Sequence, residues 1–374
     1  MTSLIYIGLI SGTSMDAIDC ALVDFSDRKP YQLDFINTEI PHDLREKMLR
    51  LCEDHDSQIP LLGETDVELA RQLAASVEHI LDLNGLKPSQ IAAIGSHGQT
   101  IRHQPQQDTS ATPFTLQIGD PNTIAELTGI TTVSDFRRRD LAAGGQGAPI
   151  VPAFHREIFS TAEQNRIIVN IGGMSNITLL GKIGTISGYD TGPGNVLMDI
   201  WIQEHQGHPY DKGGKWAESG KVDDALLELM LEEPYFGLPS PKSTGRELFN
   251  KRWLEGKLAE VKQQPSPQDI QATLLALTVQ TISKAILNEW QEGEVIVCGG
   301  GASNHFLMKS LNNALPEFEI MPSSALGVME DSMEAVAFAW LAWQTMMQRP
   351  VDFTQITGSA HPVIAGGIYY GGKS

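Results

Sequence analysis

Two stretches half a chain apart follow one plan. The segment 6-YIGLISGTSMDAIDCALVDF-25 reads as an apolar strand, a small-residue turn and a second apolar strand, and 167-IIVNIGGMSNITLL-180 repeats it. Identity between them is slight, so what recurs is a pattern of hairpins. A hairpin at the head of each half constrains the chain to two related domains facing a cleft. The length of 374 residues agrees, since one core rarely serves so long a chain.

Further runs rich in Ile and Val, at 91–95 and 295–300, predict strands, and helices lie between. In 64–83 the apolar positions Val67, Ala70, Leu73, Ala74, Val77, Ile80 and Leu81 keep a helical rhythm that buries one face. In 266–290, Ser266 is placed to cap, with Pro267 in the first turn and Asp269 after it. Strands alternating with helices predict the α/β class and a largely parallel sheet. The stretch 142-AAGGQGAP-149 is the best linker, giving a first domain of 1–149 and a second of 150–349, with 350–374 a candidate to return to the first. Whether 357–371 is a strand or a tail stays open.

A formal charge of −19 argues against nucleic acid or an anionic membrane as partner. Three scattered cysteines, Cys20, Cys52 and Cys298, outline neither a disulfide framework nor a zinc site. The run 335–343 is too short to span a bilayer and the N-terminus has no signal-peptide pattern, so a cytoplasmic location is expected.

Three motifs bear on chemistry. Ser11, Gly12, Thr13 and Ser14 form a small-residue turn followed by Asp16 and Asp19; taken alone it reads first as a plain hairpin turn, with backbone shaped to approach phosphate as the alternative. Neither the P-loop pattern nor G-x-G-x-x-G occurs. In 188-GYDTGPGNVLMDIW-201, Asp190 precedes Gly192 and Gly194, and Asn195 can open a helix; a carboxylate there suits phosphoryl transfer or simple capping. In 295-VIVCGGGASNHFLMKSL-311 a strand runs through Gly299 and Gly300 into a helix, a place for a purine or an ordinary turn.

The order of these motifs resembles the actin, hexokinase and Hsp70 superfamily of ATP-binding proteins. Within it, GTSMDAID at 12–19, GSHGQT at 95–100, QIGDP at 117–121, DFRRRDLAAGGQGAPIVP at 135–152, NIGGMSN at 170–176, YDTGPGNVLMD at 189–199 and CGGGASN at 298–304 resemble the anhydro-N-acetylmuramic acid kinase family. That resemblance implies two actin-like domains and a reaction in which Mg·ATP and water open the 1,6-anhydro ring of an amino sugar while O6 is phosphorylated. The family's ATP loop falls on Gly12, Thr13, Ser14, Met15, Asp16, Ala17, Ile18 and Asp19, and its catalytic carboxylate on Asp190. Gly172, Gly173, Gly192, Gly194, Gly299 and Gly300 join as candidate nucleotide contacts. Ala17 departs from the family's usual glycine, and Ile10 stands where the superfamily often has Asp, so the Mg²⁺ contacts stay open.

The implied substrate carries a lactyl carboxylate, and Arg137 in 135-DFRRRD-140 is the cation chosen for it, against a structural ion pair with Asp135 or Asp140. His97 and Gln99 follow a strand end, where α/β sites gather polar groups. Glu330, before the helix at 333–343, reads as a contact to sugar hydroxyls or as charge suited to a helix start. The spacing of His205 and His208 carries little metal signal. The resemblance suggests a homodimer. A conventional sugar or small-acid kinase, a nucleotide-dependent sensor, and a metallopeptidase using His97 and His103 are the competing readings.

Overall fold

The computed structural model describes residues 4–12, 15–27, 30–53, 58–105, 112–240, 242–246 and 248–372. The chain divides into two compact units, Met1–Ile158 with Gly327–Ser374, and Phe159–Leu326. The first contains β1 (Ile5–Ser11), β2 (Ala17–Asp24), β3 (Tyr31–Glu39), β4 (Ile91–Ser96), β5 (Gln99–Gln104), β6 (Phe114–Ile118) and β7 (Thr132–Ser134). The second contains β8 (Arg166–Ile171), β9 (Met174–Leu180), β10 (Ile186–Pro193), β11 (Gly293–Cys298) and β12 (Phe318–Pro322), and β13 (Gly367–Tyr369) belongs to the first unit again.

The first sheet has the order β13-β7-β4-β1-β2-β3 and the second β10-β9-β8-β11-β12. In both, the opening strand pairs antiparallel with its hairpin partner on one side and parallel with a later strand on the other. Numbered from its own start, the second sheet reads 3-2-1-4-5 and the first repeats that order with one more strand, β13, at its edge, so the repeat seen in the sequence is a duplicated topology. The sheets are mixed, which corrects the expectation of largely parallel pairing. Short turns join the first three strands of each unit and allow only antiparallel neighbours; parallel pairing enters after the long crossovers that include the helices Ile59–Asn84 and Pro267–Glu289.

Both helices form for the reasons the pattern gave. Ile59–Asn84 buries Leu69, Leu73, Val77 and Ile80 and stops at Gly85 in the left-handed region. Pro267–Glu289 starts at Ser266, whose side chain accepts from Asp269 N–H. That second helix is long and apolar enough to cross a bilayer, but its apolar residues lie in the core of the second unit.

The units part at 158/159 and 326/327, whereas the sequence reading put the boundaries at 149/150 and 349/350. The difference at the second boundary has a packing cause. Helix Met333–Met346 is apolar on nearly every side and needs cover all round. It obtains cover on β1 and β4, which are bare at Gly8 and Gly95; a Cβ at Gly95 would lie 2.0 Å from Phe338 O, and one at Gly8 1.8 Å from Ala335 O. Phe25 stacks on Trp343 at 4.8 Å beneath the same helix. Beyond it, Val351 bridges Val363 and β13 pairs with β7, so the segment around 357–371 is tied to the first sheet.

Gly95→Ala is expected to destabilise the protein by about 3 kcal/mol in urea unfolding, because the methyl would displace helix backbone. A loss below about 0.5 kcal/mol would mean that this helix can shift away at little cost.

Candidate functional site

In the first unit the β1–β2 turn begins at Gly12, whose carbonyl accepts from Met15 N–H at 3.1 Å. Thr13 and Ser14 lie outside the described residues. Met15 takes the left-handed conformation with φ 54°, so the positive φ falls there and Ala17 sits in ordinary strand backbone opposite Glu39. The departure at Ala17 therefore adds no strain. Met15 and Ile18 are core residues, whereas Asp16 is exposed and Asp19 half-buried. Asp19 is the cross-strand partner of Ile10, so the hairpin offers a carboxylate directly opposite the position where the superfamily often has one.

Asp19 accepts from Asn37 Nδ2 at 2.7 Å. Burial pushes its carboxyl up to about 6, with Glu334, Asp331 and Asp16 adding to the rise. Glu334 and Asp331 keep solvent-exposed surface, yet the protein packed around them raises both, against the attraction of Arg137 for Glu334 and with help from Glu330 for Asp331. Glu330 lies in the short helical turn Glu330–Ser332, half-buried. Among the described residues no three His, Cys, Asp or Glu side chains converge closely enough to hold a metal ion on their own.

At the ends of β1 and β4 and the start of β5, Ser11 Oγ, Ser96 Oγ and Gln99 Oε1 are buried with no hydrogen-bond partner among the described residues. These orphaned groups fit a polar ligand at this edge. Gln99 uses its other end to donate to Thr100 O at 3.1 Å. His97 is buried, packs on Phe338 at 4.7 Å, and accepts a hydrogen bond from Arg137 Nε at 2.8 Å through Nε2. Its Nδ1 therefore carries the proton and donates to Gly98 O at 3.0 Å. Burial and the guanidinium hold His97 well below the usual imidazole range, so it is neutral.

Arg137 Nη1 donates to Gly147 O at 3.0 Å. Burial pulls its guanidinium down to about 10, opposed by Glu334 and Asp140, so it remains charged. Among the described residues it makes no ion pair. Asp135 pairs with Arg138 instead, at 3.4 Å, and Asp140 is hydrogen-bonded elsewhere, so the structural ion pair weighed for Arg137 is absent there. With Arg137 on Nε2, His97 offers no lone pair to a metal, which counts against the metallopeptidase reading. His103 bonds Thr115 Oγ1 at 3.1 Å. In the second unit His205 bonds Trp201 O at 2.9 Å and lies tilted against the Trp201 ring, 3.8 Å between centroids.

In the second unit, Asp190 sits near the end of β10 beside a register shift. It is held at three points: its N–H donates to Lys242 O at 3.0 Å, its carbonyl accepts from Tyr235 Oη at 2.6 Å, and Oδ2 accepts from Thr244 N–H at 3.0 Å. Burial, with Asp190 and Tyr189 nearby, keeps Tyr235 protonated well above the usual phenol range, as a donor must be. The segment 235–244 that supplies these groups was missed from the sequence; its only signal there is a polar run, KSTGR, between apolar segments.

The glycine turns brace one another. Gly194 and Val196 N–H donate to Gly173 O, and Asn195 N–H to Gly172 O, at 2.8–3.1 Å. Gly194 must be glycine for this approach, since a Cβ would lie 2.3 Å from Gly172 O. Three of the amides at this helix start, those of Gly194, Asn195 and Val196, are thus engaged by carbonyls of the β8–β9 turn. Asn195 donates to Ile171 O through Nδ2 and provides no side-chain cap for Val196–Gln206. A Cβ at Gly192 would meet Phe236 at 2.7 Å. Gly299, at φ 79°, and Gly301 pack closely on Asn170 and Ile171, which leaves Gly300 as the exposed member of the glycine triplet. A turn Gly300–Ser303 then leads to helix His305–Ala314, capped by Asn304.

Asp199, on helix Val196–Gln206, is pushed up to about 7 by burial, with Asp211 adding and Arg246 opposing. Its folded state favours the protonated form, so the group costs stability once the unfolded carboxyl ionises, increasingly from about pH 4 to pH 7. Asp199→Asn is expected to raise Tm by about 2–4 °C at pH 8 and not at pH 4. Equal melting of the two proteins at pH 8 would mean that the carboxylate is well solvated.

The model of the anhydro-N-acetylmuramic acid kinase family matches residues 4–371. A protein of that name from Saccharophagus degradans is 46% identical over 369 residues, covering 99% of this chain and 100% of the relative. Another from Shewanella sp. (strain ANA-3) is 48% identical over 371 residues, 99% of each chain. Among solved structures, the activator of the 2-hydroxyisocaproyl-CoA dehydratase from Clostridium difficile with bound ADPNP aligns at TM-score 0.49 and 11% identity, covering 92% of this chain and 96% of that one. A ROK family glucokinase from Streptomyces griseus in complex with glucose and AMPPNP aligns at TM-score 0.40 and 12% identity, covering 91% and 99%. With the family's model matched along nearly its whole length and relatives close to half identical over theirs, the chain belongs to the anhydro-N-acetylmuramic acid kinase family.

Proposed function

We infer that the chain carries out its family's reaction: with Mg·ATP and water it opens the 1,6-anhydro ring of 1,6-anhydro-N-acetylmuramic acid and phosphorylates O6, giving N-acetylmuramate 6-phosphate for peptidoglycan recycling. Asp190 carries the reading, as a carboxylate fixed through backbone and side chain at the end of a strand.

Water adds to C1 as the C1–O6 bond breaks through an oxocarbenium-like state, and Asp190 accepts the water's proton. The released O6 attacks the γ-phosphorus in line and ADP departs. Thr244 N–H holds the Asp190 carboxylate in orientation without neutralising it. In the first unit the Gly12–Asp19 hairpin is assigned to the phosphates. Gly172, Gly173 and the exposed Gly300 are assigned to the rest of the nucleotide in the second. Bound Mg²⁺ would offset charge on the phosphate oxygens. It needs only one or two carboxylates besides phosphate and water, and Asp16 and Asp19 are the hairpin's own.

Arg137 is assigned to the lactyl carboxylate, because it keeps its charge and has no ion pair among the described residues. Gln99 and Glu330 are assigned to polar groups of the sugar, and His97 acts behind Arg137. Cys20, Cys52 and Cys298 form no disulfide among the described residues, which accords with a reducing cytoplasm, and a homodimer is the expected assembly.

Asp190→Asn should lower kcat by about a thousandfold while ATP binding and Tm stay close to wild type. Retention of a tenth of the activity would remove the base role. Arg137→Ala should raise the sugar KM by about a hundredfold with a small change in the KM for ATP. Mass spectrometry of product formed in ¹⁸O-labelled water tests the reaction itself: one heavy oxygen at C1 is expected, and an unlabelled phosphorylated product would leave a conventional sugar kinase.

A further inference from the structure

The C-terminal segment reaches Arg137 through a short chain of buried contacts. Thr357, 4% exposed, donates from Oγ1 to Asp140 Oδ1 at 2.7 Å. Asp140, fully buried, accepts from Gly147 N–H on Oδ2 at 2.7 Å. Gly147 O in turn accepts from Arg137 Nη1, while Thr357 O accepts from Gln146 N–H at 3.0 Å. Thr357 therefore grips the 144–147 turn twice, once through Asp140 and once by its own carbonyl.

We propose that Thr357 and Asp140 are positioning residues for Arg137, and that through them the C-terminal segment sets how well the enzyme recognises the carboxylate of its sugar. The proposal rests on the assignment of Arg137 to that carboxylate. A guanidinium has five N–H donors. His97 takes the one on Nε and Gly147 O takes one on Nη1, which leaves three directed by the plane those two acceptors fix. His97 is held by the carbonyl of Gly98 and by Phe338, so it is the rigid acceptor. Gly147 lies in a turn with φ 75°, and its place depends on the Asp140 bond. Releasing Asp140 from Thr357 frees one of the two acceptors and lets the plane turn.

The alternative geometry shows what the arrangement avoids. Aimed at Arg137, Asp140 would form a buried ion pair and neutralise the cation wanted for the ligand. Instead its two oxygens take the Gly147 amide and the Thr357 hydroxyl, and Glu334 is the other carboxylate that acts on the guanidinium. The cation is oriented by a carbonyl and a neutral imidazole and keeps its attraction for an anion.

Thr357→Val removes the hydroxyl at nearly constant volume and tests the idea. Its KM for 1,6-anhydro-N-acetylmuramic acid is expected to rise about tenfold, with kcat within about threefold and the KM for ATP unchanged. Thr357→Ser, which restores the donor, is expected to return the sugar KM to within about twofold of wild type. If valine weakens packing generally, kcat and both KM values move together in both variants, and the proposal is overturned. Asp140→Asn gives an independent reading of the same link and should also act on the sugar KM alone. Arg137→Ala run alongside separates two failures. Unchanged sugar KM in that variant removes the carboxylate assignment itself; a raised one there, with wild-type values in Thr357→Val, removes only the positioning role.

Discussion

The first unit depends on one close approach, that of helix Met333–Met346 to two strands stripped of side chains at Gly8 and Gly95. Because the helix backbone lies against the sheet, everything attached to it is placed with little freedom. Its first turn carries Glu334 toward the hairpin carboxylates, and one turn later Phe338 forms the surface on which His97 rests. The chain leaving the helix then bridges Val351 to Val363 and continues to β13. Removing this approach would loosen the hairpin turn, the imidazole under Arg137 and the C-terminal segment together, since all three share the helix as their support.

The second unit obtains order differently, by exchange of backbone hydrogen bonds between its own turns. The carbonyls of Gly172 and Gly173 accept the amides of Gly194, Asn195 and Val196, so the end of the opening strand and the end of β10 fix each other. Thr278 adds its hydroxyl to the carbonyls of Pro193 and Gly194 at 3.1 and 2.9 Å, which ties the same turn to the core helix Pro267–Glu289. Glycine is used there for closeness more than for flexibility. Of the donors at the helix start, Val196 N–H is taken up by Gly173 O in the same exchange.

How much of this was legible in the sequence follows the range of the interactions. The duplicated hairpins, the two long helices and the Ser266 cap are local patterns, and they emerge where the spacing placed them. Asp190 and Arg137 are marked by short motifs, and the structure gives each a defined environment. The sheet that would take helix Met333–Met346 was not legible, because an all-round apolar helix satisfies either one; only the bare positions at Gly8 and Gly95 decide. The bracing of Asp190 by Tyr235, Lys242 and Thr244 spans about fifty residues of chain and leaves no periodic trace. Glu334 was hidden for a related reason, since a carboxylate in the first turn of a helix is ordinary and gains meaning only from distant neighbours such as Asp19 and Arg137.

The two units treat their key charges alike. Asp190 is oriented by an amide and by hydrogen bonds to its own backbone; Arg137 is oriented by a carbonyl and a neutral imidazole. Neither orientation is supplied by a full opposite charge on those atoms. In a chain with a net charge of −19, carboxylates are abundant, so an arginine is easily neutralised and must be shielded from them to serve a ligand. Dipoles fix direction at close range and leave the net charge in place, whereas an ion pair fixes direction and cancels it. Asp140 illustrates the separation: it stands close enough to act on Arg137, yet both its oxygens are bound by uncharged donors. Under the roles proposed for Arg137 and Asp190, one anion to recognise and one water to activate, that choice serves both sites.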